Sequence, residues 1–328
     1  MRRANLTVLT QALVEKISIQ EKTAKGIEFR HPEHGECFVE AKRETVLAAG
    51  AIGSPQLLQL SGIGPGSLLQ SMGIAVTHEL PGVGENLHDH LQIRMQYKVR
   101  GVPTLNERAN SLLGKAAMGL QYLFFHTGPL TMPPSQLGAF AKSDPSQPTP
   151  NIEWHVQPLT LDKFGDPLHR FPAITPSVCN LRPSSRGWVR ITSPDPAAYP
   201  EIKLNYLATD EDRRVAVDGM RFTRRIMAAK ALAKYRPEEF RPGVPVEKDE
   251  DLEKAAGELG TTIFHPIGTC KMGNDPQAVV DEQLRVRGIA RLRVIDASIM
   301  PRITSGNTNA PTYVIAEKGA AFLRESSR

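Results

Sequence analysis

One stretch limits what this chain can fold into more than any other. Glu44-Thr45-Val46-Leu47-Ala48-Ala49-Gly50 is a short apolar strand that ends in small residues, and Ser54-Pro55 followed by Gln56 to Leu60 opens a helix. Strand, small-residue turn and helix start is the local architecture of nucleotide-binding α/β folds, where the N–H groups of the helix start face a phosphate. Plain strand-on-helix packing gives the same pattern, so the stretch sets the texture and leaves the ligand open. Two glycine clusters follow, Gly62-Ile63-Gly64-Pro65-Gly66 and Gly82-Val83-Gly84-Glu85. Neither completes GxGxxG, because Ser67 and Leu87 hold the sixth places. Both read as turns.

The rest of the chain divides by texture. Before this stretch, alternation predicts strands within Leu6–Ile19, over Gly26–Arg30 and over Cys37–Ala41. From Leu91 the pattern becomes that of an antiparallel sheet with long loops: strands over Gln92–Val99, Ala139–Ala141, Asn151–Gln157, Ser177–Leu181 and Trp188–Ser193, and a proline-rich loop at Pro129, Pro133 and Pro134. Helices are expected over Ser111–Phe125, Asp210–Leu232 and Glu247–Leu259, the last with acidic residues in its first turn, where they suit the helix dipole. A strand at Leu292–Asp296 and an amphipathic helix at Pro311–Arg324 close the chain. The ends read as α/β and the middle as antiparallel, so one domain is expected to be made from both termini with a second inserted.

Composition excludes several classes. At 328 residues, with 40% hydrophobic and 23% charged residues, the chain is long enough for a large core and two domains. The net charge of +5 is scattered. Its densest basic cluster, Arg221, Arg224 and Arg225 beside Asp218, reads as a solvated helix face rather than a nucleic-acid surface. No apolar run approaches the ~20 residues of a membrane span. Met1-Arg2-Arg3-Ala4-Asn5 is basic without the apolar core of a signal peptide. Cys37, Cys179 and Cys270 stand far apart, which gives neither a disulfide framework nor metal-ligand spacing, so no metal is expected and a reducing cytoplasmic setting fits.

Two segments carry candidate chemistry. Thr261–Gly273 holds His265 between an apolar run and Pro266, and Ser305–Thr312 holds Asn307. A histidine takes a proton near neutral pH, and an asparagine amide donates to an oxyanion. Taken alone, His265 reads more readily as a packed structural histidine than as a catalyst, Asp296 as the cap of a turn after a strand, and Asn307 and Asn309 as turn formers. His88 and His90 form a His-x-His pair without a third ligand nearby, and read as packing residues between domains. His155 lies on a candidate strand.

Several longer segments resemble the glucose–methanol–choline (GMC) oxidoreductase family of FAD-dependent alcohol oxidases and dehydrogenases, most closely its choline-dehydrogenase-like branch. The run Gly50-Ala51-Ile52-Gly53-Ser54-Pro55-Gln56-Leu57-Leu58-Gln59-Leu60-Ser61-Gly62-Ile63-Gly64 fits the family's second signature throughout. Gly84–His90, Leu181–Gly187, Phe264–Cys270, Val294–Ser298 and Gly306–Thr312 fit further family stretches. The resemblance covers essentially the whole chain. Family members begin with a βαβ unit carrying GxGxxG, which has no counterpart here, so the chain is expected to be a C-terminal portion whose first half is missing or supplied by another chain.

The resemblance implies a fold of α/β plus α+β type: an incomplete FAD-binding Rossmann-like domain built from both ends, with an inserted antiparallel-sheet substrate domain. The expected divisions are 1–90 and 261–328 for the former and 91–260 for the latter. It implies oxidation of an alcohol to an aldehyde, the hydroxyl proton passing to a base and the hydride to flavin N5. His265 is then the base and Asn307 its partner on the alkoxide. Phe264 packs beside the flavin, Asp296, Ala297, Thr308 and Asn309 contact it, and Val14 touches the adenine. The implied partners are a small-molecule alcohol and an N-terminal FAD-binding chain or segment. The alternatives are a flavin-free inactive fragment and a binding module. The expected location is cytoplasmic, with peripheral membrane contact left open.

Overall fold

A computed structural model of the chain describes residues 3–133 and 135–326; Met1 and Arg2 of the basic start, and Pro134 of the proline-rich loop, lie outside the described residues. In chain order, β1 (Leu13–Gln20), β2 (Thr23–His31) and β3 (Gly35–Glu40) precede β4 (Thr45–Leu47) and α1 (Gly50–Leu60). Then come β5 (Ile63–Gly64), α2 (Gly66–Ser71) and β6 (His78–Glu79). The middle holds β7 (Leu91–Arg94), β8 (Gln96–Lys98), α3 (Leu105–Asn110), α4 (Leu112–Phe125), β9 (Leu137–Ala141), β10 (Ile152–Gln157) and β11 (Ala173–Asn180). It continues through β12 (Trp188–Arg190), β13 (Glu201–Lys203), α5 (Asp210–Met227), β14 (Glu238–Arg241), α6 (Asp249–Leu259) and β15 (Gly260–Thr262). The chain closes with β16 (Leu292–Val294) and α7 (Asn309–Glu325).

Two compact units result. The first comprises residues 1–89, 186–205 and 265–328; the second comprises residues 90–185 and 206–264. Residues 186–205, which the sequence pattern groups with the middle of the chain, thus cluster with the termini.

In the first unit, β4 and β16 pair in parallel, Thr45 against Leu292 and Leu47 against Val294. A parallel pair requires a long crossover, and here the whole second unit intervenes. β1, β2 and β3 form an antiparallel meander. Ile17, Leu47, Leu58, Ile63, Val83 and Val294 meet in one core. Each such side chain contributes about 1.5–3 kcal/mol when fully buried.

The glycine clusters have more structure than turns. Ile63–Gly64 pairs in parallel with His78–Glu79, and α2 begins at Gly66. Gly84, with φ +87°, is required sterically: a Cβ there would lie 2.2 Å from the Val189 carbonyl oxygen and 2.5 Å from Gln59 Nε2.

In the second unit, a seven-stranded antiparallel sheet runs β14-β8-β11-β10-β9, with β7 paired to both β11 and β15. The single strand expected over Gln92–Val99 is split, because the Met95 N–H turns back to the Ile93 carbonyl at 3.2 Å and leaves the ladder. Helix α5 ends at Met227 rather than Leu232. Ala229 turns extended and a separate 3-10 turn covers Lys230–Tyr235, from which Leu232 still packs on the core. The apolar spacing is thus satisfied without a continuous helix.

The Arg221–Arg225 face is not simply solvated. Arg224 donates to both carboxylate oxygens of Glu239, at 2.9 and 2.8 Å, and the Glu239 side chain is buried. Helix α4, by contrast, buries none of its residues, and Leu112, Leu123, Phe124 and Phe125 stand exposed. Among the described residues no helix is long and apolar enough to cross a membrane.

Candidate active site

The start of α1 is held by side chains from near the other end of the chain. Pro55 sits inside the helix and has no N–H for the Ala51 carbonyl four residues earlier. The Thr269 hydroxyl supplies the missing donor, at 2.6 Å and fully buried. Asp296 holds the first turn. Its Oδ2 accepts from the Gly50 N–H at 2.9 Å and the Ser54 hydroxyl at 2.6 Å, while its Oδ1 accepts from the Ser298 N–H at 2.8 Å. Farther along α1, the buried Gln59 donates to the Val189 carbonyl at 3.0 Å and accepts from the Ile191 N–H at 2.9 Å. The helix-start signature is therefore fastened on both sides by groups that a buried helix end needs.

Asn86–Asp89 ties the two candidate segments to one frame. His88 and Ile267 exchange backbone hydrogen bonds at 3.2 and 3.0 Å. The His88 ring lies 2.7 Å from the Asn86 carbonyl through Nδ1 and accepts from the Ile303 N–H at 3.0 Å through Nε2. Those two contacts assign the neutral tautomer protonated on Nδ1. Asn86 Nδ2 donates to the Gly268 and Pro301 carbonyls, at 3.2 and 3.4 Å. Asp89 Oδ1 accepts from the His265 N–H at 2.9 Å. Ile267, Met300 and Ile303 pack together. The stretch 265–268 and the stretch 301–303 are thus pinned to the same short segment, and the chain continues from the latter into the Asn307 loop.

His265 is 8% exposed. Asn307 and Asn309 are exposed, and Thr308 is buried with its carbonyl accepting from the Thr312 hydroxyl at 2.8 Å. Helix α7 has no side-chain N-cap bond and no acidic residue in its first turn, so its opening N–H groups suit an electron-rich acceptor. Phe264 adopts φ +64°, unusual for an aromatic residue, and is 71% exposed; it belongs to the second unit. Ala297 is half-buried in a 3-10 turn. Val14 is half-buried on β1, opposite Phe29. The Asp296 carboxylate already accepts three hydrogen bonds within the chain, so its cap role is realised.

Within the first unit, the exposed amides of Asn307 and Asn309 and the uncapped start of α7 suit a hydrogen-bonding cofactor. Asp89, Thr269, Ser54 and His88 were not assigned site roles from sequence. The Thr269 contact had a signal, since a proline within a helical run leaves one carbonyl in search of a donor. Asp89 and His88 act on backbone groups distant in sequence, and nothing local marks that.

The remaining histidines fall elsewhere. His88 bonds within the first unit, and His90 Nε2 lies 3.2 Å from the Leu181 carbonyl within the second. His155 is 3.3 Å from Glu153. Glu153 stands opposite Cys179 in register, so Glu153, His155 and Cys179 offer ligand atoms within 4.8 Å of one another, a grouping that sequence spacing hid.

With this geometry in hand, comparison with known proteins is informative. Two GMC oxidoreductase family models match, the N-terminal one over residues 1–92 and the C-terminal one over residues 183–316. The chain is 43% identical over 326 residues to the oxygen-dependent choline dehydrogenase of Pseudomonas fluorescens (strain SBW25), covering 98% of this chain and 57% of that protein. It is 41% identical to the enzyme of the same name from Paraburkholderia xenovorans (strain LB400), with the same coverage. The chain thus spans little more than half the length of these relatives.

Among solved structures, pyridoxine 4-oxidase from Mesorbium loti superposes with a TM-score of 0.84 at 30% identity, covering 98% of this chain and 58% of that one. An arginine-to-alanine variant of formate oxidase from Aspergillus oryzae RIB40, made to examine FAD modification, superposes with a TM-score of 0.91 at 26% identity, covering 99% and 62%. With both family models matched and relatives of one kind running along nearly its whole length, the chain belongs to the GMC oxidoreductases, a flavoprotein family that uses FAD.

Proposed function

We propose that this chain carries the base-and-amide half of an FAD-dependent alcohol-oxidising site. His265 accepts the hydroxyl proton of a bound alcohol, and the Asn307 amide donates a hydrogen bond to the developing alkoxide. Bound FAD supplies the two-electron acceptor for the hydride. Phe264, Ala297, Thr308, Asn309 and the α7 start would hold it, with Val14 on the adenine side and Asp296 acting from its place at the start of α1. The observation that carries this reading is the shared anchorage of the 265–268 and 301–303 segments on Asn86–Asp89. Choline, named in the relatives, is one candidate alcohol.

A second reading, a subunit that acts only with a separate FAD-binding chain, is favoured by the apolar surface on α7, where Tyr313 and Val314 are exposed. Expression of the chain alone and with a candidate N-terminal chain, followed by flavin absorbance and alcohol-dependent dye reduction, tests both. Flavin and dye reduction are expected with the partner. A stable pair lacking both would sink the first reading, and full activity of the chain alone would sink the second.

A further inference from the structure

β7 and β8 carry two buried side chains with polar atoms that lack partners among the described residues. Arg94 is 5% exposed, yet its Nε and Nη2 have no hydrogen-bond partner among the described residues. Gln96 is 2% exposed; its Nε2 donates to the Leu161 carbonyl at 2.8 Å, while its Oε1 has no partner among the described residues. A buried guanidinium without an anion is costly, and folds seldom keep one without use for it. Burial pulls the Arg94 guanidinium down from its ordinary range, as desolvation of an uncompensated cation must.

Both residues line one cavity of about 490 Å³ within the second unit, together with Lys163, Phe164, Arg241 and Thr261. The Phe164 ring lies against the guanidinium, 4.4 Å from ring centroid to Cζ. A ring in contact with a guanidinium face leaves the in-plane N–H donors free for a carboxylate, which takes two of them side by side. The cavity's own carboxylates have partners other than Arg94. Asp162 pairs with Arg241 and lies 3.3 Å from His169, and Glu258 lies 3.9 Å from Lys254. The cavity therefore presents an unmatched positive charge beside an unmatched acceptor. Such a lining repels a quaternary ammonium group and suits a molecule with a carboxylate and a hydroxyl.

We infer that this cavity binds the carboxylate of a small hydroxy acid beside the Arg94 guanidinium, with Gln96 offering an acceptor to a hydroxyl of the same molecule. Every residue lining the cavity belongs to the second unit.

Titration calorimetry on the full chain, without flavin, tests the inference with 3-hydroxypropanoate, propanoate and choline chloride. Both carboxylates are expected to bind, the hydroxy acid more tightly, and choline is not. Arg94→Gln should weaken carboxylate binding by about tenfold or more, the scale of a lost charged hydrogen bond, and Arg94→Lys should restore part of it. Because Arg94 Nε and Nη2 have no hydrogen-bond partner among the described residues, Arg94→Met should melt no lower than the parent. Choline binding as tight as that of the carboxylates, no carboxylate binding, or equal carboxylate affinity in Arg94→Gln would each overturn the proposal. So would a marked loss of melting temperature in Arg94→Met. Binding is read without turnover, so this inference and the alcohol-oxidising reading fail separately.

Discussion

The Thr269 hydroxyl donates at 2.6 Å to the Ala51 carbonyl that Pro55, four residues on, cannot serve. Thr269→Val keeps the shape and removes the donor, leaving a buried carbonyl unsatisfied. A loss of about 1–3 kcal/mol is expected, read by denaturant unfolding. Pro55→Ala returns an N–H to the helix at that point. In its presence Thr269→Val should cost clearly less, and a double-mutant cycle showing no coupling would refute the assignment.

Asp296 and Ser54 should rank in a set order. Asp296 accepts from three donors, whereas the Ser54 hydroxyl gives it one of them. An amide at 296 offers a single acceptor oxygen and turns N–H groups toward other N–H groups. Asp296→Asn is expected to cost about 2–4 kcal/mol and Ser54→Ala about 1 kcal/mol. Equal losses for the two, measured by chemical denaturation, would show that the carboxylate is not the hub.

Cys270 should be chemically silent. Burial pushes its thiol well above the usual thiol range, and the nearby Asp296 carboxylate adds to the effect. A reactive cysteine needs its thiolate, and with the pKa raised the thiolate does not form between pH 7 and 9. Mass spectrometry after iodoacetamide at pH 8 should find native Cys270 unmodified, and alkylated once the chain is unfolded in urea. Labelling of the folded protein at a rate like that of the unfolded one would contradict the burial argument.

Much of the fold was legible because its signals are local. The strand–turn–helix at Thr45–Leu60, the acidic start of α6 and the alternation in β10 all follow from short-range pattern, and both ends were correctly assigned to one α/β unit. What the pattern missed depends on partners far along the chain. β7 and β8 read as one strand because the turn at Met95 breaks no hydrophobic alternation. Residues 186–205 cluster with the termini through contacts such as Gln59 with Val189 and Ile191, which no composition shift announces. In the candidate site, His265 and Asn307 stand out through motif resemblance, whereas Asp89 and Thr269 matter through burial, as Arg94 does in its own cavity, and burial is not written in a residue's neighbours.

Arg224 and Glu239 give a test within the second unit. Their bidentate pair is largely buried, and the Tyr97 hydroxyl donates to the same carboxylate at 3.0 Å. Burial, and after it the charge of Glu239, pushes the Tyr97 phenol above its ordinary range. Arg224→Met strands the Glu239 carboxylate and should cost about 3–5 kcal/mol. The double replacement Arg224→Met with Glu239→Gln should recover much of that loss. A cost below 1 kcal/mol for the single variant, the scale of an exposed pair, would mean that the cluster is solvated after all.

His265 and His88 separate chemistry from scaffolding. In a complete, flavin-loaded assembly, His265→Ala should leave flavin bound and slow its reduction by alcohol by ~10²-fold or more, the scale of a lost general base. Asn307→Ala should also slow reduction, by ~10²–10³-fold if its amide faces the developing charge. His88 instead accepts from the Ile303 N–H and spans to Asn86, so His88→Ala should first lower the melting temperature, by an unfolding cost of about 1–3 kcal/mol. Stopped-flow flavin reduction and melting curves on the three variants distinguish the roles. Unchanged reduction in His265→Ala would remove that residue from the chemistry, and the anchored pair of segments would then be scaffold alone.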